Sequence, residues 1–157
     1  MSIESKNYFE AELLDELSED IASGNIHVLT SADEHFAALS ARYPICGSKI
    51  AWSRIVGSIE RSERRDDFEF DAFVDFFNEM IALNGLNGAV IYIGDGLINF
   101  ALDSSIEIFS KKLKEIFSIP QHHYFLAPDY SWCMVFSMEG DMSYGCMPKM
   151  PEQNRHQ

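Results

Sequence analysis

Apolar residues recur every third or fourth position in some stretches of this chain and every second position in others, and the two periods predict its elements. From about Asn7 to Ala22, Phe9, Leu13, Leu17 and Ile21 step by four with Leu14 beside them, which predicts an amphipathic helix ended by Gly24. Ile26 to Thr30 reads as a short strand. Ser31 with Glu34 forms a capping box that opens a second helix through Tyr43, stopped by Pro44 and Gly47. Residues 48 to 61 carry both periods: Trp52, Ile55, Val56 and Ile59 fit a helix, whereas Ile50, Trp52, Arg54 and Val56 fit a strand. Helix is the preferred reading there.

A further, acidic helix is expected from about Asp67 to Asn84, burying Phe70, Phe73, Val74, Phe77 and Ile81. Asn84 to Gly88 is turn chemistry. Ala89 to Ile93 and Leu97 to Leu102 flank Asp95-Gly96, a signal for a two-residue hairpin. Ser104 with Glu107 forms another capping box before Ile106, Phe109, Leu113, Ile116 and Phe117, and Pro120 closes that helix. Lys111, Lys112 and Lys114 suit its negative end. From His122 to Gly145 apolar and polar residues alternate, with turns at Pro128-Asp129 and Glu139-Gly140-Asp141, predicting two or three antiparallel strands. Tyr124, Phe125, Trp132 and Phe136 are expected as core or sheet-face residues. This order predicts an α+β fold, an antiparallel sheet of hairpins packed against several amphipathic helices that cover one of its faces. One domain spans residues 1 to 147 and a polar tail follows from 148 to 157; no repeat or linker divides the chain.

Charge changes this picture more than composition does. The 157 residues are 46% hydrophobic and 24% charged, an ordinary globular mixture, but the net charge is -13 and unevenly spread. Residues 1 to 41 sum to -8, residues 42 to 65 to +4, and residues 66 to 110 to -9 with no lysine or arginine at all. Such acidity disfavours nucleic acid or an anionic membrane as partner, since phosphates are bound by neutralising them. The three cysteines, Cys46, Cys133 and Cys146, have neither zinc nor disulfide spacing. With an acidic N-terminus unlike a signal peptide and no apolar run of membrane length, a reducing cytoplasm is the expected compartment.

Within the acidic helix Asp67, Asp71, Asp75 and Glu79 repeat every fourth residue and would stack along one edge, while Phe68 projects on the same side. Like charges so placed cost roughly 0.2 to 0.5 kcal/mol per pair in an isolated helix. A stripe that opposes its own helix is explained by an outside partner of positive charge. Arg54, Arg61, Arg64 and Arg65 precede it and are the chain's own candidates for neutralising it.

Catalytic and metal chemistry is weakly signalled. His122 and His123 would point to opposite faces of a strand and so do not grip one ion. Ser131 has His123 and Asp129 near it in sequence but no nucleophile elbow, and Gly94-Asp95-Gly96 lacks the lysine and helix of a phosphate loop. No cofactor and no enzymatic activity is expected.

The segment His123-Tyr124-Phe125-Leu126-Ala127-Pro128-Asp129-Tyr130-Ser131-Trp132-Cys133-Met134-Val135-Phe136, followed by Met138-Glu139-Gly140-Asp141-Met142-Ser143-Tyr144-Gly145, resembles the terminal hairpin of small bacterial immunity proteins. These neutralise toxins of contact-dependent growth inhibition and related polymorphic systems. The resemblance implies a protein that docks on a cognate toxin domain, often a nuclease, and covers its active site. An acidic inhibitor suits that task, because a nuclease is basic where it holds nucleic acid. The expected toxin-binding residues are Asp67, Asp71, Asp75 and Glu79, with Phe68 as an apolar anchor. The rival reading is an acidic, nucleic-acid-mimicking adaptor that binds a host DNA-handling protein.

Overall fold

The computed structural model describes residues 7 to 63 and 70 to 148. Seven strands form one antiparallel sheet in the order β1-β6-β5-β7-β8-β9-β4. They are β1 (His27–Leu29), β4 (Ile59–Ser62), β5 (Ala89–Gly94), β6 (Ala101–Ser105), β7 (His123–Leu126), β8 (Trp132–Phe136) and β9 (Asp141–Cys146). A separate two-stranded hairpin pairs β2 (Ile45–Cys46) with β3 (Lys49–Ile50). The helices are α1 (Tyr8–Glu16), α2 (Ser18–Ala22), α3 (Asp33–Arg42), α4 (Asp71–Asn84), α5 (Ile106–Ser110) and α6 (Leu113–Phe117). The α+β class and the antiparallel sheet expected from the pattern are what the chain adopts.

Strand alternation builds two cores. Val90, Tyr92, Leu102, Phe125, Met134 and Phe136 point to one face, where they meet Leu13, Phe73, Phe76, Phe77, Met80, Phe109 and Phe117 from α1, α4, α5 and α6. Their neighbours Ile91, Ile93, Ala101, Tyr124, Leu126 and Cys133 point to the other face, under Leu39, Ile50, Trp52 and Ile55. The helices therefore do not all cover one face, as the pattern suggested: α3 and the β2–β3 hairpin cover the second. Central strands here are apolar on both sides, which is what a doubly covered sheet requires.

Four other expectations are corrected. Residues 48 to 61 do not form a helix; they make β3, a single 3-10 turn at Trp52–Arg54 and β4. Gly57, with φ +82°, turns the chain where a helix would need right-handed backbone, and Val56 is left fully exposed. The two-residue hairpin is a six-residue connection, Asp95 to Phe100, between β5 and β6. It is held from outside, since Gln121 Oε1 accepts from Leu97 N at 2.9 Å and Glu10 Oε2 from Asn99 N at 2.7 Å. The cap of α5 is Ser105, which accepts from Ile108 N at 3.1 Å, whereas Ser104 stays in the ladder and donates to Asn25 O at 2.6 Å. Finally, the helices expected over 7 to 22 and 104 to 119 are each broken in two, at Leu17 and at Lys111-Lys112.

Candidate functional site

Helix α4 is shorter than its sequence pattern. Phe70 takes a left-handed backbone (φ +74°) and stands as its N-cap, so the helical register ends at Asp71. Asp67 and Phe68 lie outside the described residues. Phe73, Phe76, Phe77 and Met80 form the buried side of α4; Phe76 and Met80 were not in the expected set, while Val74 and Ile81 are only partly covered.

The opposite side carries Asp71, Asp75 and Glu79 at the surface, and Leu83, 64% exposed, continues the same four-residue step. Two of these carboxylates already have partners in the chain. Arg61 of β4 reaches across to Glu79, its Nη2 donating to Oε2 at 2.8 Å, while the guanidinium lies over the Phe76 ring. This bond holds the Glu79 carboxyl below the usual carboxylate range. Lys114 of α6 places Nζ 3.4 Å from Asp71 Oδ1. Among the described carboxylates of the stripe, Asp75 is the one with no ion pair to a described residue.

A second acidic surface lies on the same helical layer, which the stripe argument did not single out. Asn7 accepts from Glu10 N at 2.8 Å and starts α1, whose Leu13 is buried while Glu12, Asp15 and Glu16 face outward. Helix α6 packs beside α1 and brings Glu115 to the same place. Partial burial, then the charges of Glu115, Glu12 and Asp15, hold the Glu16 carboxyl above its ordinary range, against a smaller pull from Lys112. Tyr8, 68% exposed, stands at the start of α1, and its hydrogen bond to Glu12 raises its phenol. Two of the lysines expected at a helix C-terminus instead join helices: Lys112 Nζ is 3.7 Å from Asp20 Oδ2, and Lys114 pairs with Asp71. Among the described residues no lysine or arginine comes within ion-pair distance of Glu12, Asp15, Glu16 or Glu115. The signal for this surface was present in the -8 of the first 41 residues, but only packing brings Glu115 to it.

The residues considered for catalysis are dispersed. His123 is buried, its Nδ1 2.7 Å from the Tyr92 hydroxyl, and burial pushes its pKa down to about 3. His122 faces the other side and accepts from Met138 N at 2.9 Å. Asp129 accepts from Ser131 N at 3.0 Å in the β7–β8 turn. His123 pairs with Phe136, at the far end of β8 from Ser131, so strand length separates those two residues. Asp95 accepts from His122 N at 2.9 Å, and the Gly94-Asp95-Gly96 turn leads into loop rather than helix. Among the described residues no group of three or more His, Cys, Asp or Glu side chains could hold a metal ion. No helix there is long and apolar enough to cross a membrane.

By architecture this is a mixed α+β protein with a doubly covered antiparallel sheet and an acidic helical layer. No family model matches the chain, and no curated protein matches it.

Proposed function

We propose that the chain is an immunity protein, which binds a cognate toxin domain in the cytoplasm and blocks it by laying acidic surface over a basic, nuclease-type active site. The observation that carries this reading is the crowding of Glu12, Asp15, Glu16 and Glu115 on the helical layer, with no lysine or arginine of the described residues within ion-pair distance of them. Such crowding opposes folding of the chain alone and favours a cationic partner, which would be steered toward it before contact. Tyr8 supplies an exposed aromatic of the kind that anchors interfaces, at the edge of the same patch. Asp75 and Leu83 on α4 extend the acidic layer beyond α6. Glu79 and Asp71 contribute less, because a partner would have to displace Arg61 and Lys114.

The test is co-expression with the product of the adjacent upstream reading frame. Relief of growth arrest and a co-purifying complex support the reading; neither result would move the assignment to the adaptor that binds a host DNA-handling protein. With a complex in hand, reversing Glu12 and Glu16 to lysine is expected to slow association about tenfold at low salt. Reversing Asp71 and Asp75 is expected to do less, and the opposite ranking would transfer the contact to the α4 stripe.

A further inference from the structure

The second face of the sheet is closed at one end and open at the other. At the closed end the Trp52 ring lies on Gly145, where a Cβ would come within 2.8 Å of the indole. Tyr43 and Ile55 complete that cover over Leu126 and Cys133. Two residues further along β8 and β9 the cover gives way to a cleft of about 400 Å³, within the range of small-ligand sites, while Tyr124 of β7 lies at its end with Phe36 edge-on 5.0 Å away.

Strand register fixes the floor of this cleft. Tyr124 stands opposite Val135, Val135 opposite Ser143, and Ser143 opposite Glu60. These four side chains form one row across β7, β8, β9 and β4, about 14 Å long at about 4.8 Å per strand. The row is graded from aromatic to aliphatic to hydroxyl to carboxylate. Ile50 and Trp52 wall its apolar end.

Most polar groups around the row are occupied. Arg61 sends its guanidinium to the other face, to Glu79, and Lys49 on the rim lies 3.8 Å from the Glu139 carboxylate. Asp141 accepts from the Ser62 hydroxyl at 2.7 Å. Two groups are left. Ser143 is 6% exposed, lines the cleft, and makes no hydrogen bond through its hydroxyl to a described residue. Glu60 beside it has no ion pair among the described residues. The Ser143 hydroxyl, reached from the cleft, and the Glu60 carboxylate beside it are therefore both free to bond a ligand, the second with negative charge.

We propose that this cleft is a binding site for a small organic cation. A flat apolar body would lie on Val135 between Ile50 and Trp52 with its far edge toward Tyr124, and an amidinium, guanidinium or ammonium end would donate to Glu60 and Ser143. Charge-assisted hydrogen bonds to the carboxylate give the site its sign preference. The proposal is independent of the immunity reading and of the helical layer, which lies on the opposite side of the sheet.

Benzamidine is the probe, followed by amide and indole resonances of the isotope-labelled full chain, with the Trp52 indole assigned through Trp132→Phe. Saturable shifts at Trp52, Val135 and Ser143 are expected, with benzyl alcohol weaker and benzoate, of opposite charge, not binding. Glu60→Gln, at an exposed strand edge, should weaken benzamidine about tenfold and leave benzyl alcohol unchanged. Ser143→Ala should weaken it about threefold without lowering Tm, because no internal hydrogen bond is lost. Equal binding of benzoate, an unaltered affinity in a folded Glu60→Gln chain, or shifts confined to the α1 surface would each overturn the assignment.

Discussion

Gln121 holds three parts of the protein with one amide. Its Oε1 accepts from Leu97 N and, at 3.3 Å, from Ile98 N, and its Nε2 donates to the Tyr92 hydroxyl at 3.0 Å. Tyr92 can then donate to His123 Nδ1, leaving the ring's other N–H for the Ile119 carbonyl. Gly94 sits against this amide, and a Cβ there would overlap it. Gly94→Ala should therefore cost roughly 2 to 4 kcal/mol through lost hydrogen bonds and forced repacking, seen as a lower urea midpoint at unchanged slope. His123 gives a pH effect whose sign follows from its depressed pKa. The unfolded chain takes up a proton near 6.5 and the folded chain only near 3, so stability falls as pH drops through that window. The slope is at most about 1.4 kcal/mol per pH unit. His123→Gln should flatten urea-derived stability between about pH 6 and pH 4.5 by roughly 2 kcal/mol, and parallel curves for the two proteins would contradict it. Sequence reasoning separated His122 from His123, since neighbours on a strand face opposite ways. Nothing in the sequence marked Gln121, whose partners come from a loop 23 and 24 residues away.

At the scale of elements, the end of α4 at Asn84 and part of its aromatic face were legible and its start was not. Phe73 packs on Phe117 and Phe136 with ring centroids 5.1 and 4.9 Å away, and Phe117 is 4.8 Å from Phe136. Phe136→Ala opens a hole among three elements and should cost about 3 to 5 kcal/mol in chemical denaturation. Period alone extended α4 back to Asp67, because a phenylalanine at φ +74° is a rare choice that no pattern rule anticipates. Residues 48 to 61 failed for a related reason. Their apolar side chains serve two structures, Trp52 and Ile55 in the second core and Ile59 in the first, so no single period describes them. The pair of Arg61 and Glu79 ties the edge strand β4 to α4. Glu79→Arg should speed amide exchange in β4, and the swapped pair Arg61→Glu with Glu79→Arg should restore protection; an unaffected strand would show the pair to be incidental.

For the whole molecule, charge and fold pull in opposite directions. Glu16→Lys removes repulsion with Glu12 and Glu115 and should stabilise the isolated chain by about 0.3 kcal/mol per like-charged pair relieved, with Tm rising. The same change should weaken capture of a cationic partner. A substitution that raises stability while lowering binding is the signature of a surface kept for a partner. If Glu16→Lys instead left the partner's association rate and its salt dependence unchanged, the α1 surface would be a solvated face and nothing more.

The sequence by itself determined the class of fold, the strand-rich C-terminal half, the buried face of α1 and part of that of α4, and the excess of negative charge. Each of these is written in neighbours three or four positions apart, or in a sum over the chain. Only tertiary structure decided that the sheet is covered on both sides, that Arg61 and Lys114 already hold Glu79 and Asp71, and that Glu115 joins the α1 carboxylates. It also aligned Tyr124, Val135, Ser143 and Glu60 into one graded row. Those arrangements depend on register and packing between segments far apart in the chain, and local periodicity carries no record of either.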